Sequence, residues 1–316
     1  MKSAAFSRRD ALGFGAAAAL SAALRPGFAR AASATAEFAS MTADARPIGR
    51  DEYLLRIDKA RRLMARNGIG ALLIEPGASM IYFTGVHWWR SERLTVIVLP
   101  REGELAVVTP HFEAPSVGET LAVPAELRVW QEDEDPLVTV AGVLRDRKVR
   151  DPVGIEETMR YFAIDGLMRA MPDVQIMSGA AIVRGCRMVK SPNELALMQK
   201  ANDVTMAAYR HVVPRVEKGM KPHDIGALMK AAHEGFGAEH EFALILLGEA
   251  SAYPHGSGKP QAVKAGEVVL MDCGCNVHGY QSDISRTFVF GEPGAEHRKV
   301  WKQVRQGQQI AFETAR

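Results

Sequence analysis

From about Arg46 to residue 180, short apolar runs alternate with segments of helical period, and this alternation constrains the architecture most. Strands and helices in alternation bury their apolar faces by laying helices on a sheet. Residues 53–67 carry apolar side chains at helical spacing and stop at Gly68, a C-cap glycine. Residues 71–74 (ALLI) read as a buried strand, and Ile81, Tyr82 and Phe83 open another element before Gly85. Residues 94–99 and 105–109 flank P-R-E-G-E and read as a hairpin. A strand follows at 152–155 and a helix at 162–171, which predicts an α/β domain over residues 46–180. No repeat at solenoid spacing and no low-complexity linker interrupts it.

A second region, 185–316, opens with a helix start. Ser191 can cap, Pro192 suits the first helical position, and Glu194 completes an S-x-x-E box. Leu195, Met198, Met206, Tyr209 and Val213 then share one face at a period of 3.6. A further helix at 222–234 stops at Gly235. The segment 242–247 and a Gly/Ser/Pro-rich loop at 248–260 follow, and then two strands are expected at 268–273 and 281–290. Helices followed by an antiparallel hairpin suggest an α+β domain.

That hairpin carries two carboxylates. A symmetric turn over Asn276–Gly279 sets Asp272 directly opposite Asp283, on one face of the sheet. Two carboxylates about 5 Å apart on a half-buried sheet repel and are costly to desolvate. A divalent cation between them offsets that cost, as does leaving one of the two solvated. His255, in Y-P-H-G-S-G, sits where Pro and Gly fix the backbone, which suits recognition or proton transfer as well as plain exposure.

Composition narrows the classes. The 316 residues suggest two domains, and 47% hydrophobic with 24% charged residues is an ordinary globular balance. A formal net charge of +2 is too small for a protein that binds nucleic acid by neutralising phosphates. Three cysteines make no disulfide scaffold, and no run approaches the roughly 20 apolar residues of a membrane span. At the N-terminus, Lys2, Arg8 and Arg9 precede a weakly apolar run at 12–24 and A-x-A sites at 29–31 and 32–34. This pattern reads as a signal peptide over residues 1–34, with an uncleaved apolar helix as the alternative. S-R-R-D-A-L resembles a twin-arginine signal, with Ala11 where that class usually has Phe, so an exported, periplasmic protein is expected.

The motifs R-M-V-K-S-P-N-E-L (187–195), P-H-G (254–256), V-V-L-M-D-C-G (268–274) and S-D-I-S-R-T-F (282–288) together resemble the pita-bread metallopeptidases. This family (M24) includes aminopeptidase P, prolidase and methionine aminopeptidase, with creatinase as a non-peptidase relative. I-Y-F-T-G (81–85) and S-E-R-L (91–94) resemble the creatinase/prolidase N-terminal domain. The resemblance implies an α/β N-terminal domain plus an α+β pita-bread domain, a homodimer, and two divalent ions among Mn, Co, Zn and Fe. It makes Asp272 a ligand of one metal, Asp283 a bridging ligand, and His255 the substrate-contacting histidine. It also implies hydrolysis of X-Pro bonds by a metal-activated water. A creatinase-like or osmolyte enzyme (ectoine derivatives, sulfoniopropionates) and a non-catalytic binding module are the alternatives.

One departure matters. The family's remaining ligands, one His and two Glu, lie downstream of the position of Asp283, whereas here a helical run at 295–316 ends the sequence. His297 and Glu313 fall on that surface-like helix. A truncated chain with an incomplete pita-bread domain, inactive alone, is therefore expected. Other motifs carry less. His240-Glu241 lacks a His at 244, so it is no zincin helix. Cys273 and Cys275 point away from Asp272 on a strand and read as core residues, and Trp88 and Trp89 read as packing or as reaching a substrate pocket.

Overall fold

A computed structural model describes residues 38–315; the predicted signal segment, 1–34, lies outside the described residues. The first unit runs α1 (Arg50–Asn67), β1 (Ala71–Ile74), α2 (Ala78–Thr84), β2 (Val96–Pro100), β3 (Ala106–Pro110), α3 (Ala114–Thr120), β4 (Glu126–Trp130), α4 (Pro136–Asp146), β5 (Val153–Ile155), α5 (Tyr161–Ala170), β6 (Ile176–Ser178) and α6 (Ala180–Arg187). Its sheet has the order β4-β3-β2-β1-β5-β6. β1 is parallel to β5 and antiparallel to β2. Leu72 and Ile74 pack with Ile57, Met64 and Phe83 on one face, while Ala71 and Leu73 pack with Val140, Leu144 and Leu167 on the other. Burial on both faces explains why the strand is apolar without alternation.

The Ile81–Phe83 segment is helical. Gly77 precedes this seven-residue helix, and Gly85, in the left-handed region at φ 76°, closes it. α6 contributes Ile182, Val183 and Cys186 to the core of α1, so the first unit runs through Arg187 rather than stopping at 180, and the seam lies beyond 185.

The second unit runs α7 (Pro192–Val212), α8 (Pro222–Gly235), β7 (Glu239–Leu247), β8 (Val268–Val277), β9 (Tyr280–Gln281), β10 (Ile284–Val289) and α9 (Ala295–Thr314). Its antiparallel sheet has the order β10-β8-β7, with β9 on β8. The capping box of Ser191 and Glu194 is present at the start of α7. Its buried stripe is Leu197, Ala201, Val204, Ala208, Tyr209 and Val212, whereas Leu195 is exposed. Residues 38–44 strap over this unit: Phe38 packs edge-on against Phe236, Met41 N donates to Phe236 O, and Asp44 pairs with Lys200. α9 carries no buried residue, and His297 accepts from Gly294 N at its start. Among the described residues no helix is long and apolar enough to cross a membrane.

The two units meet at Arg56, which is 6% exposed. Its guanidinium donates to Tyr82 O (3.0 Å), the Tyr280 hydroxyl (2.8 Å) and Glu52 (3.2 Å), and lies 3.3 Å from Glu194 Oε1. Tyr280 donates in turn to Glu194 (2.8 Å), and Ser191 Oγ donates to Glu52 (2.7 Å). Removing one member of a buried ionic cluster strands its partners without water, which costs more than the pair itself contributes. Arg56→Leu is expected to lower stability by about 3 kcal/mol, and Tyr280→Phe by about 1 kcal/mol. Urea unfolding measures both, and equal effects would mean that the charge carries no special weight.

Candidate functional site

The β8–β9 turn decides where the two aspartates stand. Val277 pairs with Tyr280 and Asn276 with Gln281, leaving His278 (φ 50°) and Gly279 (φ 85°) as a two-residue turn in the left-handed region. Such a turn matches the twist of a tight hairpin. Asn276 Oδ1 accepts from Gly279 N at 2.7 Å and stiffens it.

The four-residue turn expected over Asn276–Gly279 is thus corrected. Pairing moves by two residues, so Asp272 stands opposite Ser285 rather than Asp283. A slip of two keeps every side chain on its face, and Asp283 remains a diagonal neighbour of Asp272. Asp272 is half-buried, Asp283 exposed, and Ser285 Oγ donates to Asp272 Oδ1 at 2.7 Å. Partial desolvation first, then the Asp272 charge and a hydrogen bond between the two carboxyls, push Asp283 above the ordinary carboxylate range. The expected single strand at 281–290 is broken at Ser282 and Asp283 into β9 and β10.

Val269, Met271 and Cys273 point into the core beneath α7 and α8, while Leu270 and Asp272 face the other way. All three cysteines are buried and free, and burial pushes the Cys273 thiol up to about 12. A thiol so held stays protonated at neutral pH unless a metal displaces its proton. His255 stands exposed in the loop between β7 and β8. A Cβ on the next residue, Gly256, would lie 3.7 and 3.8 Å from Leu244 and Leu246. Leu244 pairs with Asp272, so this loop crosses the sheet face on which the aspartates project. Trp88 packs on the first core and donates to Glu113 (3.2 Å), with Trp89 stacked on it at 4.6 Å.

Two adjacent carboxylates, one already raised by partial desolvation and by the other's charge, fit a hard divalent cation in place of a shared proton. They supply two ligand side chains, and no group of three or more His, Cys, Asp or Glu able to hold a metal occurs among the described residues. Among the described residues His297 accepts from Gly294 N at the cap of α9, and Glu313 accepts from Gln309 within it.

Sequence reasoning missed a buried polar chain beneath Asp283. Ser282 Oγ accepts from Cys275 N (2.9 Å) and lies 2.7 Å from Thr205 Oγ1. Thr205 lies 3.3 Å from His233 Nε2, and His233 Nδ1 lies 2.9 Å from His240 Nδ1. The small polar residue before Asp283 was its only visible trace. Burial, and secondarily His240, lowers His233 from 6.5 to about 4. The unfolded chain therefore binds a proton there below pH 6.5 that the folded chain refuses until pH 4. Stability from this group is present above pH 6.5 and lost as pH falls towards 4, by up to about 3 kcal/mol. His233→Gln is expected to flatten that loss in urea midpoints taken between pH 7 and 4. An unchanged slope would place the acid sensitivity elsewhere.

Comparison with known proteins agrees with this layout. Residues 56–189 match the Creatinase/Prolidase N-terminal domain and residues 196–316 match Metallopeptidase family M24. The chain thus carries a creatinase/prolidase-type N-terminal domain followed by an M24-type domain, in that order. An uncharacterized peptidase of Schizosaccharomyces pombe is 30% identical over 282 residues, 84% of this chain and 61% of that protein. A probable dipeptidase PepE of Mycobacterium tuberculosis is 28% identical over 268 residues, 84% of this chain and 71% of that protein. The prolidase of Thermococcus sibiricus has the same fold, with a TM-score of 0.74 at 24% identity over 82% of this chain and 71% of that one. The chain thus spans about 61% of the first relative's length and 71% of the second's.

Proposed function

We propose that the chain is the metal-dependent hydrolase of X-Pro peptides that the M24 layout suggests, with Asp272 and Asp283 as ligands. The observation that carries this reading is the pair of carboxylates on one sheet face, with the Asp283 carboxyl raised by partial desolvation and then by its neighbour. When bound, two divalent ions of the Mn, Co, Zn or Fe type would supply a Lewis acid that acidifies water near neutral pH. The chain's own residues do the positioning. Ser285 fixes one Asp272 oxygen, the Ser282–Thr205 contact pins the backbone before Asp283, and the His255 loop closes over the same face. His255 would then contact the substrate and steady charge at the scissile carbonyl.

Two carboxylates alone hold a hydrated divalent ion weakly, because the ion keeps most of its water. A polypeptide of the 316 residues is therefore expected to retain less than one equivalent of metal after gel filtration and to leave Ala-Pro uncleaved. Expressed with any coding sequence that follows Arg316 kept, it is expected to gain both properties, and Asp283→Ala to abolish both. Elemental analysis and a proline-release assay read the result. Two equivalents on the 316 residues, or cleavage that survives Asp283→Ala, would contradict the ligand assignment.

The export reading is likewise a proposal, resting on Arg8, Arg9 and the A-x-A sites. The mature chain is expected to begin near Ala32 or Thr35 outside the cytoplasm. Arg8→Lys with Arg9→Lys is expected to block export in cell fractionation, and unchanged export would sink the twin-arginine part.

A further inference from the structure

A cavity of about 520 Å³ lies where the two units meet, at the turn end of the hairpin, lined by Asn276 and Gln281 rather than by Asp272 or Asp283. Its volume suits a small molecule. Arg187 and Lys190, from the end of α6 and the segment after it, line it from one side. Among the described residues neither cation has an ion pair with a carboxylate. Arg187 donates to the Ser79 hydroxyl (3.0 Å) and Lys190 only to the Met188 carbonyl (3.4 Å). Two cations left without a carboxylate at one cavity wall are a ready counterpart for an anion.

The opposite unit supplies Glu241. β7 slips its register between His240 and Phe242: His240 pairs with Cys275 and Phe242 with Gly274, leaving Glu241 as the extra residue of a bulge. A bulge re-aims the side chain it carries, and here Glu241 lines the cavity instead of following the strand alternation. Glu194, the other lining carboxylate, is committed to Arg56, Tyr280 and Ser191 N. Glu241 has no ion pair among the described residues and is available to an ammonium group. The cavity is therefore polar in a directed way, cationic on the first unit's wall and anionic on the second's.

We propose that this cavity binds a small zwitterion, an amino acid or dipeptide, with its carboxylate at Arg187 and Lys190 and its ammonium at Glu241. Neither Asp272 nor Asp283 lines the site, although Asn276 and Gln281 continue their sheet face toward the turn, and the site needs no metal. It rests on the peptidase reading only in that such a molecule is what that reaction consumes or releases.

The test is calorimetric titration of the 316-residue chain with Ala-Ala in EDTA, beside N-acetyl-Ala-Ala and Ala-Ala-amide. Ala-Ala is expected to bind, and each cap to weaken it about tenfold by removing one charged contact. Lys190→Ala is expected to weaken Ala-Ala and N-acetyl-Ala-Ala alike. Glu241→Gln is expected to weaken Ala-Ala but leave N-acetyl-Ala-Ala unchanged. Both residues are exposed, so these variants keep the fold, and circular dichroism checks it. Asp272→Asn and Asp283→Asn are expected to leave binding intact. Absence of Ala-Ala binding, binding indifferent to Lys190→Ala and Glu241→Gln, or binding lost with Asp272→Asn would overturn the proposal. The last result would move the ligand to the aspartate pair itself without touching the metal assay.

Discussion

A guanidinium buried where two layers meet must keep its polar partners, and Arg56 satisfies that demand with residues from its own helix and from two distant segments. Glu52 comes from its own helix, Glu194 from the first turn of α7, and Tyr280 from the hairpin tip. None of the three can leave without exposing the others to a low-dielectric interior, where an unpaired charge is costly. The joint therefore fixes the hairpin relative to the first unit. Tyr280 precedes Asp283 by only three residues, so the anchor also limits where that carboxylate can go. The wall of the inter-unit cavity is built on the same joint.

The hairpin then sets the carboxylate pair by register. A tight turn through His278 and Gly279 places Ser285 across from Asp272, and Tyr209 locks the two strands from below. The Tyr209 hydroxyl lies 2.8 Å from Met271 O and 2.6 Å from Ile284 O. At Gly274 a Cβ would come within 2.2 Å of Ser282 O, so only glycine lets the chain pass so close beside Asp283. Beneath it, the buried chain from Ser282 to His240 leaves no polar group without a partner. The strain of holding two like charges together is thus borne by a backbone with little freedom to relax.

Much of this was legible in the residues. The run at 71–74 announced a strand buried on both faces, and the box at Ser191 and Glu194 announced a helix start that the structure contains. Face parity of Asp272 and Asp283 was also readable, because alternation survives any even slip. The register itself was not, since a turn of two or four residues fits the same string N-V-H-G. Nor was the second role of Glu194: a capping residue gives no sign that a buried arginine far away in sequence will claim its carboxylate. The His233–His240 contact and the Glu241 bulge were hidden for a similar reason. Both depend on how β7 meets β8, which local propensity does not encode.

The central claim is that the sheet face bearing Asp272 and Asp283 is where a divalent ion binds. Paramagnetic broadening of amide signals by dilute Mn²⁺ tests it directly, because weak binding suffices for the effect. The account predicts broadening centred on Asp272, Asp283 and Ser285 that disappears in Asp272→Asn and Asp283→Asn. Broadening centred on His233 and His240 or on Glu241, or unchanged by those substitutions, would contradict it.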